Sequence, residues 1–198
     1  MTDSKTRGKD SPPLRIGIII GSTRPGRKSE AVAKWVYGIA RERNDAEYEL
    51  VDLADYHLPL LDAPIPPSAG RPHPPHAEAW AKKIASLDAF VFVTPEYNHS
   101  TSAVLKNAID FLYPEWNNKA AGFVSYGSAG GVRAVEHLRL IMAEVQVATV
   151  RSQAWFSLMT DFKDWTEFTP TPGKEKSVAM MLDQLVAWGG ALKGLRSA

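Results

Sequence analysis

The chain of 198 residues carries 23 basic and 22 acidic side chains, a formal net charge of +1, and no cysteine. That length suits one domain that buries a core without a metal or disulfide staple. The missing cysteines exclude disulfides, thiolate metal clusters and a thiol nucleophile. The charge balance gives no electrostatic footprint for nucleic acid, and the longest apolar runs, IGIII and AFVFV, are too short to span a bilayer.

Residues 1–13, MTDSKTRGKDSPP, are polar, lack the apolar segment of a secretory signal, and read as a disordered tail. Residues 14–198 then form a single domain. It opens with LRIGIII, a short apolar run ending at Gly21 that reads as a buried strand. From Ser29 to Arg43, Val32, Trp35, Val36 and Ile39 fall on one helical stripe with charged residues between them. YELVDL is a second strand. Residues 57–76 hold seven prolines and cannot form an ordinary helix or central strand, so they make a long loop. HAEAWAKKIASL is a helix, DAFVFVT a third strand, and AVLKNAIDFL a helix with Val104, Leu105, Ala108, Ile109 and Leu112 on one stripe. Tyr113 and Trp116, in the YPEW that follows, extend this apolar surface toward a ligand or a partner chain. AGFVSY is a fourth strand, VRAVEHLRLIMAEV a helix and QVATV a fifth strand. Residues 152–172 read as irregular, and a last helix runs from about Lys176 to Lys193. Strands alternating with helices imply a mostly parallel sheet covered on both faces, which binds ligands at the carboxyl ends of its strands.

Three of the loops at those ends are unusual. GSTRPGRKSE, from Gly21 to Glu30, combines a sharp turn, the hydroxyls of Ser22, Thr23 and Ser29, and a helix N-terminus with free N–H groups. Arg24, with Arg27 or Lys28 as a second cation, can neutralise a dianion, so the loop reads as a phosphate cradle. It is neither a G-x-x-x-x-G-K-[ST] loop nor a G-x-G-x-x-G fingerprint; a helix cap with a basic surface loop is the plainer alternative. TPEYNHS, from Thr94 to Ser100, supplies a proline turn, the flat face of Tyr97 and the amide of Asn98, which together suit a planar ring with polar edges. SYGSAGG, from Ser125 to Gly131, lets the backbone approach a ligand closely. The five histidines show no metal-ligand spacing, so no metal site is expected, and no pair of carboxylates is marked out for acid–base work.

Taken together, GSTRPGRKSE, TPEYNHS…LKNAIDFL and the SYGSAGG block resemble the NADPH-dependent FMN reductase family, over roughly residues 14–155. The resemblance implies a flavodoxin-like three-layer α/β sandwich with a five-stranded parallel sheet in the order 2-1-3-4-5. It implies FMN as cofactor and NADPH or NADH as co-substrate. Ser22, Arg24 and Ser29 would hold the FMN phosphate. Pro95, Glu96, Tyr97 and Asn98 would line the isoalloxazine, largely through main-chain groups, and Gly127, Ser128 and Gly130 would close its other side. Members of that family often have a proline shortly after the Asn-x-Ser, near the place where Ser102 stands here. The implied reaction passes hydride from NAD(P)H to flavin and then to a flavin, quinone or similar small acceptor, with no side chain required as nucleophile or acid. A cytoplasmic homodimer or homotetramer is expected, with no nucleic-acid or membrane partner. The rival readings are a non-enzymatic FMN electron carrier and a flavin-free phospho-ligand or regulatory module.

Overall fold

A computed structural model describes residues 12–70 and 72–196. The expected tail therefore falls almost wholly outside the described residues; of it, only Pro12 and Pro13 are seen, both exposed. The order of elements is β1 (Arg15–Ile20), α1 (Ser29–Ala40), β2 (Glu47–Asp52), α2 (Glu78–Ala85), β3 (Ala89–Pro95), α3 (Ala103–Asp110), β4 (Lys119–Gly127), α4 (Val132–Glu144), β5 (Val147–Ser157), β6 (Phe162–Lys163), β7 (Glu167–Phe168) and α5 (Lys174–Lys193).

Strands β1 to β5 form one sheet in the order β2-β1-β3-β4-β5, and every neighbouring pair is parallel. The central strands are apolar on both faces because both faces are covered: all seven residues of β3 and all nine of β4 are buried. One face packs against α2, α3 and α4 through Trp80, Leu105, Ile109, Leu138 and Met142. The other packs against α1 and α5 through Val32, Val36, Met181, Leu182 and Leu185. These are the three layers expected of a flavodoxin-like sandwich.

Three expectations need correction. Trp116 does not reach a ligand or a partner chain: it is fully buried, edge-on to Trp80 and Phe90, and its indole N–H donates to the Ile109 carbonyl at 3.1 Å. The fifth strand does not stop at Val150 but runs on to Ser157. A register shift against β4 between Ala121 and Phe123 interrupts it, and Arg139 of α4 donates to the carbonyls of Val150 and Arg151 there, at 2.8 and 3.1 Å. Residues 158–172 are not irregular throughout, because β6 and β7 pair as a short antiparallel ribbon.

The proline-rich loop is pinned to α3 by Asn107, whose side chain donates to the Pro59 carbonyl at 2.7 Å and accepts from the Leu61 N–H at 2.9 Å. His73 contacts Glu115 at 2.6 Å and His76 lies 3.2 Å from Asp62. These contacts hold the loop along α3 and the turn that follows it.

Candidate functional site

The loops after β1, β3 and β4 meet at the carboxyl edge of the sheet, around the reversal of strand order between β1 and β3. After β1, Gly21 donates to the Val93 carbonyl at 2.9 Å, an approach that a Cβ would block at 2.7 Å from the same oxygen. The chain then turns through Gly26, at φ 69°, into α1. Ser22 is buried; its hydroxyl shares a 3.1 Å hydrogen bond with the Tyr97 hydroxyl and accepts from the Arg24 N–H at 3.4 Å. Arg27 donates to the Ser22 carbonyl at 2.8 Å and with both guanidinium arms to Asp52, at the end of β2. Arg24 is instead exposed, its guanidinium 5.7 Å from the Tyr97 ring centroid.

The first turn of α1 is left open. Lys28 stands at the N-cap position without a side-chain capping bond, so the free N–H groups of the helix start have no capping side chain. Ser29 is fully buried, and its hydroxyl and the buried Tyr126 hydroxyl lie near each other without a well-formed hydrogen bond to any group. Burial, chiefly, pushes the Tyr126 phenol well above its ordinary pKa, so it stays a neutral donor. Buried hydroxyls left without partners beside an uncapped helix start, with cations at hand, are what a phosphate group would satisfy.

The second loop is a tight turn. Tyr97 and Ser100 exchange backbone hydrogen bonds at 2.9 and 3.2 Å, and the two residues between them, Asn98 and His99, have φ of 49° and 76°. Asn is among the few residues that take this left-handed conformation readily. Glu96 donates its N–H to the Tyr126 carbonyl at 3.0 Å, while its carboxylate receives the Arg133 N–H at 3.2 Å and the Arg133 guanidinium. Its side-chain charge is therefore neutralised by α4, which leaves the main chain to face a ligand. Ser102 caps α3, accepting from the Leu105 N–H at 3.2 Å and donating to the Gly21 carbonyl. Its φ of −68° is one a proline would also adopt, so the departure noted in the sequence leaves the turn in place.

In the third loop, Gly130 and Gly131 have φ of 72° and 73°, and a Cβ on Gly130 would lie 2.7 Å from the Trp155 ring. Ser125 holds the loop by donating to the Gly130 carbonyl at 2.7 Å.

These loops surround a cavity of about 410 Å³. Of the ten site residues named from sequence, Arg24, Pro95, Glu96, Tyr97 and Gly127 line it. Ser22, Ser29, Asn98, Ser128 and Gly130 belong to the same three loops but stand outside the lining; Ser22, Ser29 and Gly130 are buried, Asn98 and Ser128 exposed. Tyr126, a hydroxyl the third loop offered in the sequence, lines it too, as do Pro25, Gly26, Arg27 and Lys28 of the first loop; the sequence reading missed Leu158, Trp165 and Thr166. The last three come from the segment after β5, for which the sequence offered no pattern. A second cavity, of about 320 Å³, is lined by Thr23, Leu53, His57, Val104 and neighbours, but by no residue of the second or third loop. Among the described residues no group of three or more His, Asp or Glu side chains is placed to hold a metal ion, and no helix is long and apolar enough to cross a membrane.

Comparison with known proteins gives a consistent picture. The family described as NADPH-dependent FMN reductase matches residues 14–161. An NAD(P)H-dependent FMN reductase of Schizosaccharomyces pombe is 38% identical over 149 residues, covering 74% of each chain. A quinone reductase of Escherichia coli is 36% identical over 138 residues, covering 67% of this chain and 71% of its own. Among solved structures, a flavoenzyme NAD(P)H:(acceptor) oxidoreductase of Paracoccus denitrificans superposes with a TM-score of 0.69 at 22% identity, over 90% of this chain and 98% of the other, a likeness of fold.

Proposed function

The chain belongs to the NADPH-dependent FMN reductase family, and from that premise we propose that it is an NAD(P)H-dependent oxidoreductase whose FMN occupies the cavity of about 410 Å³. The observation that carries the placement is the uncapped start of α1 at the cavity's edge, where Lys28 lines the wall and the Ser29 hydroxyl just behind it is buried without a partner. It fits a phosphate held by that hydroxyl, by the loop N–H groups and by the Arg24 guanidinium.

FMN held there would supply the redox chemistry, hydride transfer between NAD(P)H and a quinone-type or flavin acceptor. The chain's own residues bind and orient. Arg24 and Lys28 supply positive charge at the phosphate end. Tyr97, fixed to Ser22 through its hydroxyl, is a wall at constant height. The backbone of 95–98 and of 127–130 would meet the ring edges, as left-handed Asn98 and Gly130 allow. Glu96 brings no net charge to the ring because Arg133 neutralises it, and no side chain in the lining is needed as acid or nucleophile.

The proposal takes residues 14–198 as one flavin-binding domain working in the cytoplasm, where a cysteine-free chain is at home. It takes the acceptor to be a small molecule and the assembly to be a homodimer or homotetramer. The support for assembly is a groove of about 490 Å³ between α3 and α4, in whose wall Leu140 is exposed. The deciding experiment is heat release of cofactor from purified protein together with steady-state NAD(P)H oxidation with a quinone. FMN and turnover support the reading; release of FAD, or no flavin after reconstitution, overturns it; FMN without turnover leaves an electron carrier.

A further inference from the structure

The matched family segment ends at residue 161, and the β6–β7 ribbon begins at Phe162. Its tip is a two-residue turn: Thr166 donates to the Lys163 carbonyl at 3.0 Å, and the central residues Asp164 and Trp165 have φ of 49° and 59°. Such turns favour Asn, Asp and Gly, and a bulky aromatic residue in the left-handed region is strained. Strain of this kind persists where surrounding structure enforces it, and it gathers at functional sites. Here the enforcement is visible. Asp161 is fully buried and accepts from the N–H groups of Ser157 and Thr171, at 2.8 and 2.9 Å, and from the Thr171 hydroxyl at 2.9 Å, so both feet of the ribbon are clamped. Phe162 and Phe168 anchor its inner side against Phe156, Tyr126 and Trp35. The indole of Trp165 is left outside that cluster, 52% exposed, in the wall of the same cavity as Tyr97 and Gly127.

We propose that Trp165 is a cofactor-binding residue that lies against the flavin ring system, and that the ribbon, which follows the residues the family model matches, is a wall of the cofactor site. The assignment rests on FMN occupying this cavity. A flat, electron-rich indole half open to solvent gains contact area from a planar ligand and costs little side-chain entropy to place. The ring, rather than the phosphate, is its partner because the ribbon enters the site from the third loop: Leu158, also in the lining, donates its N–H to the Gly127 carbonyl at 3.0 Å. The strain at φ 59° explains itself on this basis, since the turn places the indole where the cofactor needs it and not where the backbone prefers it.

The test is titration of flavin-free protein with FMN and with riboflavin, followed by flavin fluorescence, for wild type, Trp165→Phe and Trp165→Gly. Trp165→Gly is expected to lose about tenfold in affinity for both flavins, an aromatic contact's worth, while Trp165→Phe keeps most of it. The thermal midpoint of flavin-free Trp165→Gly is expected to equal or exceed that of wild type, because glycine takes the left-handed conformation without strain. Opposite movement of stability and affinity is what a packing role cannot produce. Affinity within twofold of wild type, an effect confined to FMN, or a lowered flavin-free midpoint overturns the assignment to the ring. Failure of wild type itself to bind FMN overturns the cavity reading along with it.

Discussion

Arg27 directs both guanidinium arms at Asp52, while Arg24, three residues earlier on the same loop, lies free over the Tyr97 ring. The sequence alone leaves Arg27 and Lys28 as equal candidates for a second phosphate cation, because nothing local shows that Asp52, 25 residues on, stands beside the loop. The two arginines should therefore fail in different ways. Arg24→Ala is expected to weaken FMN about ten- to a hundredfold, the worth of a charge-assisted bond to phosphate, and to leave riboflavin nearly unchanged; apoprotein titration with the two flavins reads the ratio. Arg27→Ala should instead lower stability by about 1–3 kcal/mol, because Asp52 loses its ion pair and the Ser22 carbonyl a donor. That loss appears as a shift in urea midpoint of flavin-free protein. Ser22, Arg24 and Tyr97 were readable as candidates for the site because their residue types announce ligand chemistry. Ser29 was readable as a hydroxyl at a helix start, but not as a buried one without a partner.

At the scale of elements, the apolar runs of β1 and β3 and the helical stripes were legible to within a few residues. The far half of β5 was not. It is an edge strand whose pattern, with exposed Arg151 and Trp155 among half-buried Ser152 and Gln153, leaves only the three-residue apolar run 154–156. Strands of two residues, as in the ribbon, have no period to read. The ribbon depends on Asp161. Burial raises the cost of its charge, yet the Thr171 and Ser157 N–H groups, with Lys174 nearby, more than offset this and hold its carboxyl below the ordinary value. A depressed folded pKa gives stability that is present above the unfolded value of about 3.9 and lost as pH falls through the folded one. Asp161→Asn should erase that acid-dependent loss. Asp161→Ala should cost about 3 kcal/mol, leaving buried donors without an acceptor beside an uncompensated Lys174, and should open residues 158–172 to proteolysis while the sheet persists.

For the whole molecule, the opposite edge of the sheet holds Lys119, buried at the start of β4 and donating to the Ile84 carbonyl at 2.6 Å. Burial, chiefly, with the charge of Arg196, lowers its ammonium to about 8. Since the unfolded value is about 10.4, the unfolded chain binds the extra proton between those limits, so this group makes stability rise with pH across that window. Wild type measured against Lys119→Met by urea melts at pH 7.5 and 9.5 should show the rise, and the variant should lack it. Light scattering is expected to report a dimer or tetramer, and Leu140→Glu, on the exposed edge of the α3–α4 groove, to shift it toward monomer. The sandwich itself was legible because alternating strands and helices admit few topologies.

That strand order also dictates a schedule. Ile16 of β1 pairs with Tyr48 on one side and with Ala89 on the other, 73 positions away. During synthesis the apolar IGIII stretch has a single pairing partner until residue 95 has left the ribosome, and of the two helices on its α1–α5 face only α1 until α5 begins at residue 174. At roughly 5–20 residues per second, that leaves an unsatisfied strand edge open for several seconds on every chain made. The long-range pairing also places refolding among slower, non-local topologies. Chaperone demand during expression, rather than equilibrium stability, is thus the expected bottleneck in obtaining this protein, and lower growth temperature its direct remedy.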